Sequence, residues 1–457
     1  MSAFSVSEAW PGASPSRPQI VHPEGFEDDL SLYNVGEMMR YSLNCVDPRL
    51  VDHGLRVATL LDAMLDVDGS LDEVDRRAAY FLALMHDIGA YRTEEIDRLV
   101  EFETDDVWEH SFYGYLFFKE LSPLASYAEV VLYHHMANDA FTDQDEHIWF
   151  LSQAMQVADR IDVLLLDDTE TTLDELSCKL REACPSQFDP NVVALFEEAQ
   201  RRFDVLGKLR EGVYEPNLMH IVDDPLGTGS ALSFVDMLVS IIDFRSRHTV
   251  THTVTTAWVA YELACRLLDS ESDATRVYCA AMLHDLGKIG VPLSILEKPG
   301  KLDADEMAIM RTHVMLTEVI LEGRVSDDVF RAAVRHHEKL DGSGYPRGLG
   351  AEELSRAERI VIVADIVSAL VGTRSYKEAY PKDKVLALLR DQSDRGLIDS
   401  TIVETMTRDY DSIMRSVERA RQPVMEAYRR VQEQYVWLVE QLEETRVRRS
   451  MSGEVKK

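Results

Sequence analysis

At 457 residues the chain exceeds what one ordinary core absorbs, so two domains or more are expected. Its hydrophobic content of 46% and charged content of 28% are those of a globular protein, but 81 Asp and Glu against 48 Lys and Arg leave a net charge of −33. Such a surface repels DNA and anionic membrane, and admits an anionic small molecule only where a few cations are concentrated.

Residues 1–25 carry Ser, Pro and Gly without periodicity and read as a disordered leader. The start has no cationic stretch followed by an apolar run, and no segment approaches transmembrane length, so a cytoplasmic protein is expected. The five cysteines are scattered without a CxxC, which argues against a disulfide framework or zinc knuckle. Cys45, Cys265 and Cys279 fall in apolar helical patterns and are expected in the core.

From residue 26 to about 210, segments such as "HGLRVATLLDAMLDV" and "RRAAYFLALMHD" repeat apolar residues at steps of three and four. Pro and Gly cluster in a linker at 211–233, after which the helical pattern restarts at "ALSFVDMLVSIIDF" and defines a second domain over 234–400. Residues 401–457 end in "RARQPVMEAYRRVQEQYVWLVEQLEETRVRR", a long amphipathic helix that reads equally as packed on its own domain or as the seam of a homodimer. Alternating strand patterns are scarce, so the fold class is all-α: two tandem helical domains and a long C-terminal helix.

The two halves repeat. The second contains His252, His284-Asp285, His313, His336-His337 and Asp365; the first contains His53, His86-Asp87, His110, His134-His135 and Asp159. His252 to His284 is a step of 32 and His53 to His86 one of 33, and the surroundings agree, as in "VADIVSALV" against "VADRIDVLL". A lone helical His is usually a surface or satisfied core residue. Five His and two Asp recurring in order point instead to a metal site, and without thiolates the metal is iron, manganese or zinc. Seven ligands exceed the need of one ion. Two metals sharing a carboxylate, with Asp285 or Asp365 as the bridge, could hold a hydroxide for in-line attack at phosphorus.

"LHDLGKIGVP", "KPGKL", "HHEKLDGSGYPRGL" and "IVIVADIVSALVGTRSYK" together resemble the HD-GYP phosphodiesterases of the HD superfamily, over residues 234–400. The resemblance implies hydrolysis of a cyclic dinucleotide, cyclic di-GMP or cyclic GMP-AMP, to the linear 5′-phosphorylated form. It implies two metals, iron or manganese, on His252, His284, Asp285, His313, His336, His337 and Asp365. Catalysis would rest on Asp285 and Lys288, with the Lys288 ammonium on the scissile phosphate. Gly344, Tyr345 and Pro346 would shape the substrate pocket, and Arg374 and Lys377 would bind the dinucleotide. His248 stands where some members place a Glu that serves a third metal.

The first half keeps seven corresponding positions, a second candidate metal site on His53, His86, Asp87, His110, His134, His135 and Asp159. It has Ala90 for Lys288, no GYP, and Asp168 and Thr171 where the other half has Arg374 and Lys377. It is therefore expected to be a regulatory or structural partner, or an accessory phosphohydrolase resembling a 5′-nucleotidase. Two rivals stand for the whole: a cyclic-dinucleotide receptor with little turnover, and a nucleotidase.

Overall fold

The computed structural model describes residues 18–91, 108–141, 144–167, 171–214, 229–246, 249–372 and 379–452. Among them every regular element is helical, and the one β contact is an isolated bridge between Asp341 and Gly350, which bears out the all-α class. Residues 1–17 of the expected leader, most of the linker, and His248, Arg374, Lys377 and Asp168 lie outside the described residues. No described helix is long and apolar enough to cross a membrane.

The chain forms two compact units. One gathers Asp47–Ser230 with the chain from Arg429 onward; the other gathers Pro18–Val46 with Ala231–Tyr428. The helix α1 (Leu32–Asn44) thus belongs with the second half of the sequence, although the sequence pattern grouped it with the first.

In the first unit the helices are α2 (His53–Asp68), α3 (Glu73–Leu84), α4 (Trp108–Leu121), α5 (Ala128–Tyr133), α6 (Glu146–Asp167), α7 (Leu173–Glu182), α8 (Pro190–Phe203) and α9 (Val205–Arg210). α2 is the central element, packed on α3, α6 and α8. Asp72 caps α3 by accepting from the Asp75 N–H, and a Thr172–Glu175 capping box starts α7, which answers the orphan N–H groups of those first turns.

The second unit contains α1, α10 (Ser230–Phe244), α11 (His252–Leu267), α12 (Glu271–Leu283), α13 (Leu293–Leu296), α14 (Ala304–Leu321), α15 (Asp327–Val334), α16 (Arg356–Val371) and α17 (Lys382–Asp394). α11 packs on α12 and α16 as α2 packs on α3 and α6, so the duplication read from the ligand spacing is also a duplication of packing. α1 lies on α14 and on the 3-10 turn Leu286–Gly290. Residues 18–25, expected within the leader, are anchored here. His22 stacks on Phe26 with ring centroids 4.6 Å apart, and its ring nitrogens reach the Tyr278 hydroxyl at 3.0 Å and Asp236 at 3.1 Å.

The last helix, α18 (Ser400–Ser452), gives its residues up to Tyr428 to the second unit and the rest to the first. Within the first unit Val431, Leu438 and Leu442 are buried, and Arg430 and Gln434 reach Glu120 at 2.9 and 2.7 Å. Packing within a unit is therefore a use this helix makes of its apolar face. All five cysteines are free. Cys265, expected in the core, is exposed: the buried face of α11 there runs through Leu263 and Ala264, and the next residue turns about 100° away.

Candidate metal centres

In the second unit His252 opens α11, His284 follows the last residue of α12, and Asp285 caps the turn Leu286–Gly290. His313 lies on α14, His336 and His337 follow α15, and Asp365 lies on α16. These seven side chains converge. Ligand atoms of His252, His284 and Asp365, of His284, Asp285 and His336, and of His313, His336 and His337 each lie within 4.8 Å of one another.

Asp285 is central. Its Oδ2 faces His252 Nε2 at 3.1 Å and His284 Nε2 at 3.0 Å, while its Oδ1 faces His313 Nε2 at 3.5 Å and His336 Nε2 at 3.8 Å. Asp365 completes both sides, with Oδ1 at 3.3 Å from His252 and Oδ2 at 3.7 Å from His337 Nδ1.

The donor set fits cations. His284, His313 and His336 each place Nδ1 within 2.7 Å of the carbonyl three residues earlier, which fixes the proton there and leaves Nε2 a lone pair. The Nε2 atoms of His313 and His336 then face each other at 3.3 Å, lone pair to lone pair, an arrangement that a shared positive charge relieves. His252 Nε2, His284 Nε2 and Asp285 Oδ1 are buried with no hydrogen bond of acceptable geometry. Burial opposes charge on Asp285, yet His284 and Lys288 hold its carboxyl well below the usual range; burial depresses His336, and drives His337 to about 3.

Around this cluster the HDxGK turn is tightly set. A Cβ on Gly287 would come within 2.0 Å of the His313 carbonyl oxygen, so only glycine lets the turn approach α14. The Thr317 hydroxyl accepts from Gly287 N–H at 2.9 Å and donates to the His284 carbonyl at 3.1 Å. Lys288 turns its ammonium onto Asp285 Oδ2. The loop Gly344-Tyr345-Pro346 is held by Glu338, a fully buried carboxylate that accepts the Arg347 and Leu349 backbone N–H groups at 2.7 and 3.0 Å. Tyr345 packs on His337 with ring centroids 4.7 Å apart, which brings the loop to the cluster.

The first unit repeats this arrangement. Asp87 Oδ2 faces His53 at 3.6 Å and His86 at 3.4 Å; its Oδ1 faces His110 at 3.8 Å and His134 at 3.7 Å. Asp159 Oδ1 lies 3.3 Å from His53, and Oδ2 lies 3.9 Å from His135 Nδ1. His86 Nε2, Asp87 Oδ1, His134 Nε2, both nitrogens of His135 and Asp159 Oδ1 are buried without hydrogen bonds, so this set also fits cations.

Sequence reasoning passed over the residues behind the ligands. His53 Nδ1 lies 2.7 Å from Asp162, which also accepts from Arg56 Nε at 2.6 Å and Nη2 at 2.9 Å. At the matching positions the second unit has Ser368, whose hydroxyl is 3.0 Å from His252 Nδ1, and Thr255. Arg160, buried, donates to Asp159 Oδ2 at 2.6 Å where the second unit has Ile366. The extra acid in "VADRID" against "VADIVS", three residues after the ligand on the same helix face, was the available signal.

The HD domain family matches residues 50–166 and, separately, 236–402. The chain is 25% identical over 379 residues to 3′3′-cGAMP-specific phosphodiesterase 1 of Vibrio cholerae serotype O1, covering 79% of this chain and 87% of that protein. It is 40% identical over 174 residues to a cyclic di-GMP phosphodiesterase response regulator of Xanthomonas campestris pv. campestris, covering 37% of this chain and 46% of that protein. Among solved structures, a cyclic GMP-AMP specific phosphodiesterase of V. cholerae aligns with a TM-score of 0.54 and 21% identity, over 84% of this chain and 98% of that chain, a likeness of fold.

Proposed function

This chain is a tandem of two HD domains, and from that premise we propose that the second, over 234–400, is a metal-dependent phosphodiesterase that opens a 3′,5′-cyclic dinucleotide to its linear 5′-phosphorylated form. The observation that carries the reading is the Asp285 carboxylate, shared between two histidine pairs with Lys288 on one of its oxygens and the GYP loop beside it. It is supported by the phosphodiesterases among the relatives, with cyclic GMP-AMP and cyclic di-GMP as the candidate substrates.

His252, His284 and Asp365 Oδ1 would hold one cation, and His313, His336 and His337 the other, with Asp285 spanning the two. Imidazole and carboxylate donors suit iron or manganese, which supply Lewis acidity and a water that ionises near neutral pH. The remaining work belongs to the chain. Lys288, preorganised against Asp285, stands to swing its charge onto a non-bridging phosphoryl oxygen as negative charge builds there. Glu338 holds the GYP loop in place so that Tyr345 meets the substrate without reorganisation. By resemblance, Arg374 and Lys377 bind the dinucleotide and His248 is a candidate third-metal ligand. A cytoplasmic location fits such a substrate.

For the first domain we propose a metal-holding regulatory or structural partner. Ala90, almost wholly buried, stands where Lys288 does, so the charge that would neutralise a transition state is missing from that turn. An accessory phosphohydrolase would need another cation, and the buried Arg160 on Asp159 is what favours that second reading.

The test is direct. The protein is purified without oxygen, loaded with iron or manganese, and incubated with cyclic di-GMP and cyclic GMP-AMP, with products separated by chromatography. Linear 5′-phosphorylated dinucleotide is the expected product. Tight binding of either ring with no opening would replace the phosphodiesterase by a receptor.

A further inference from the structure

Most arginines of the second unit are spoken for. Arg266, Arg276, Arg324, Arg331, Arg335, Arg347 and Arg359 each pair with a carboxylate, as a net charge of −33 makes almost inevitable. Arg311 is different. It is exposed on α14, two residues before His313, and among the described residues it makes no ion pair or hydrogen bond. Its contact is the Tyr345 ring, with the guanidinium carbon 4.6 Å from the centroid. Tyr345 in turn lies against His337, whose Nδ1 faces Asp365 at 3.7 Å. A continuous run of packed groups therefore leads from the candidate metal cluster through the GYP tyrosine to an uncompensated guanidinium.

Stacking on an aromatic face fixes the plane of an arginine while leaving the N–H edge open, which is how a guanidinium is presented to a phosphate. A cyclic dinucleotide carries two phosphates on opposite sides of its ring. If one lies on the metals with Lys288, the other falls away from them. Its charge needs a cation at a distance from Lys288. Resting on the phosphodiesterase reading, we propose that Arg311 is a substrate-binding residue that takes the phosphate not being cleaved. The Tyr345 ring then serves as the shelf that orients it, in addition to shaping the pocket.

The test compares cyclic di-GMP and cyclic GMP-AMP with bis(p-nitrophenyl) phosphate, a diester with a single phosphate, on metal-loaded wild type, Arg311→Ala and Arg311→Lys. Arg311→Ala is expected to lower the ratio of kcat/KM for cyclic dinucleotide to kcat/KM for the simple diester about tenfold, mainly through KM. Arg311→Lys should recover part of the ratio, because charge is kept and the fork is lost. Metal content and Tm serve as controls on folding. A ratio that stays put, whether both activities fall together or neither moves, overturns the proposal and makes Arg311 a prop for the loop. A wild type that cleaves the simple diester and opens no ring removes the phosphodiesterase reading, and this inference with it.

Discussion

The two centres differ less in what would bind metal than in what stands behind and beside it. Asp87 and Asp285 each lie between two histidine pairs, with every contact in one set having a counterpart in the other. Behind the first histidine, however, stands a carboxylate and an arginine in one unit and a serine hydroxyl in the other. Beside the Asp stands Ala90 in one and Lys288 in the other. A carboxylate hydrogen-bonded to a ligating imidazole raises its basicity and fixes its orientation. On the proposed reading, the first centre is suited to keep a cation, and the second to expose one to a phosphate.

The sharpest way to break the comparison is to remove the central acid from each half. Asp285→Ala is expected to lower ring opening by about 10³-fold or more, since on the proposed reading it removes a ligand shared by both cations. Asp87→Ala should leave ring opening within a few fold. Metal content of each variant, read beside product chromatography, checks that one half lost its ions and the other did not. Accumulation of 5′-phosphorylated linear product in Asp87→Ala alone would make the first half a second enzyme.

A smaller effect is expected at the lysine. Lys288→Ala should cost about 10²-fold in kcat with metal content unchanged if, as proposed, the ammonium acts on the reacting phosphate and is not a ligand. Equal losses in kcat and metal would show that the Lys288–Asp285 pair does structural work instead.

Smaller again is the exchange of the residues behind the histidines. Asp162→Ser should weaken metal retention in the first half by roughly 10- to 100-fold, and Ser368→Asp should strengthen it in the second. Dialysis against a graded chelator followed by metal analysis reads both. Asp162→Asn, which can still accept a hydrogen bond, separates loss of charge from loss of orientation. Matching retention by all variants would dissolve the distinction between a keeping and an exposing centre.

The two clusters of histidine and aspartate were legible in the sequence because a metal cluster would require particular residue types at fixed chain positions, and the duplication printed that pattern twice. What supports them was not. Asp162 is an ordinary helix acid until His53 is seen 2.7 Å away, and Glu338 follows two histidines without a sign that it holds two backbone N–H groups nine and eleven residues on. The placement of α1 was illegible for another reason. Periodicity shows that Leu32, Val35, Met38 and Met39 want burial, but carries nothing about which core receives them. The core they enter is that of the second unit.

The smallest expected effect is a proton, and it tests what the two centres share. Burial alone would depress His252, but the Asp285 and Asp365 carboxylates beside its Nε2, at 3.1 and 3.3 Å, outweigh it and push the imidazole up to about 9 when no cation competes. The raised value means that its ion pairing adds stability fully below pH 6.5, and that this contribution is lost as pH rises through about 9. A metal takes the neutral ring, so each cation bound through His252 at pH 7 must expel one proton. Apparent metal affinity of the second half should therefore climb by up to about tenfold per pH unit between roughly 6.5 and 9, then level off. Titration calorimetry in buffers of different ionisation heat counts the protons, and His252→Gln should abolish that release. His53 is also held well above its ordinary value against the pull of burial, by Asp159, Asp162 and Asp87, so the first half should release a proton too. Its release should persist in Ser368→Asp and shrink in Asp162→Ser, because only the latter removes a carboxylate that holds the His53 proton in place.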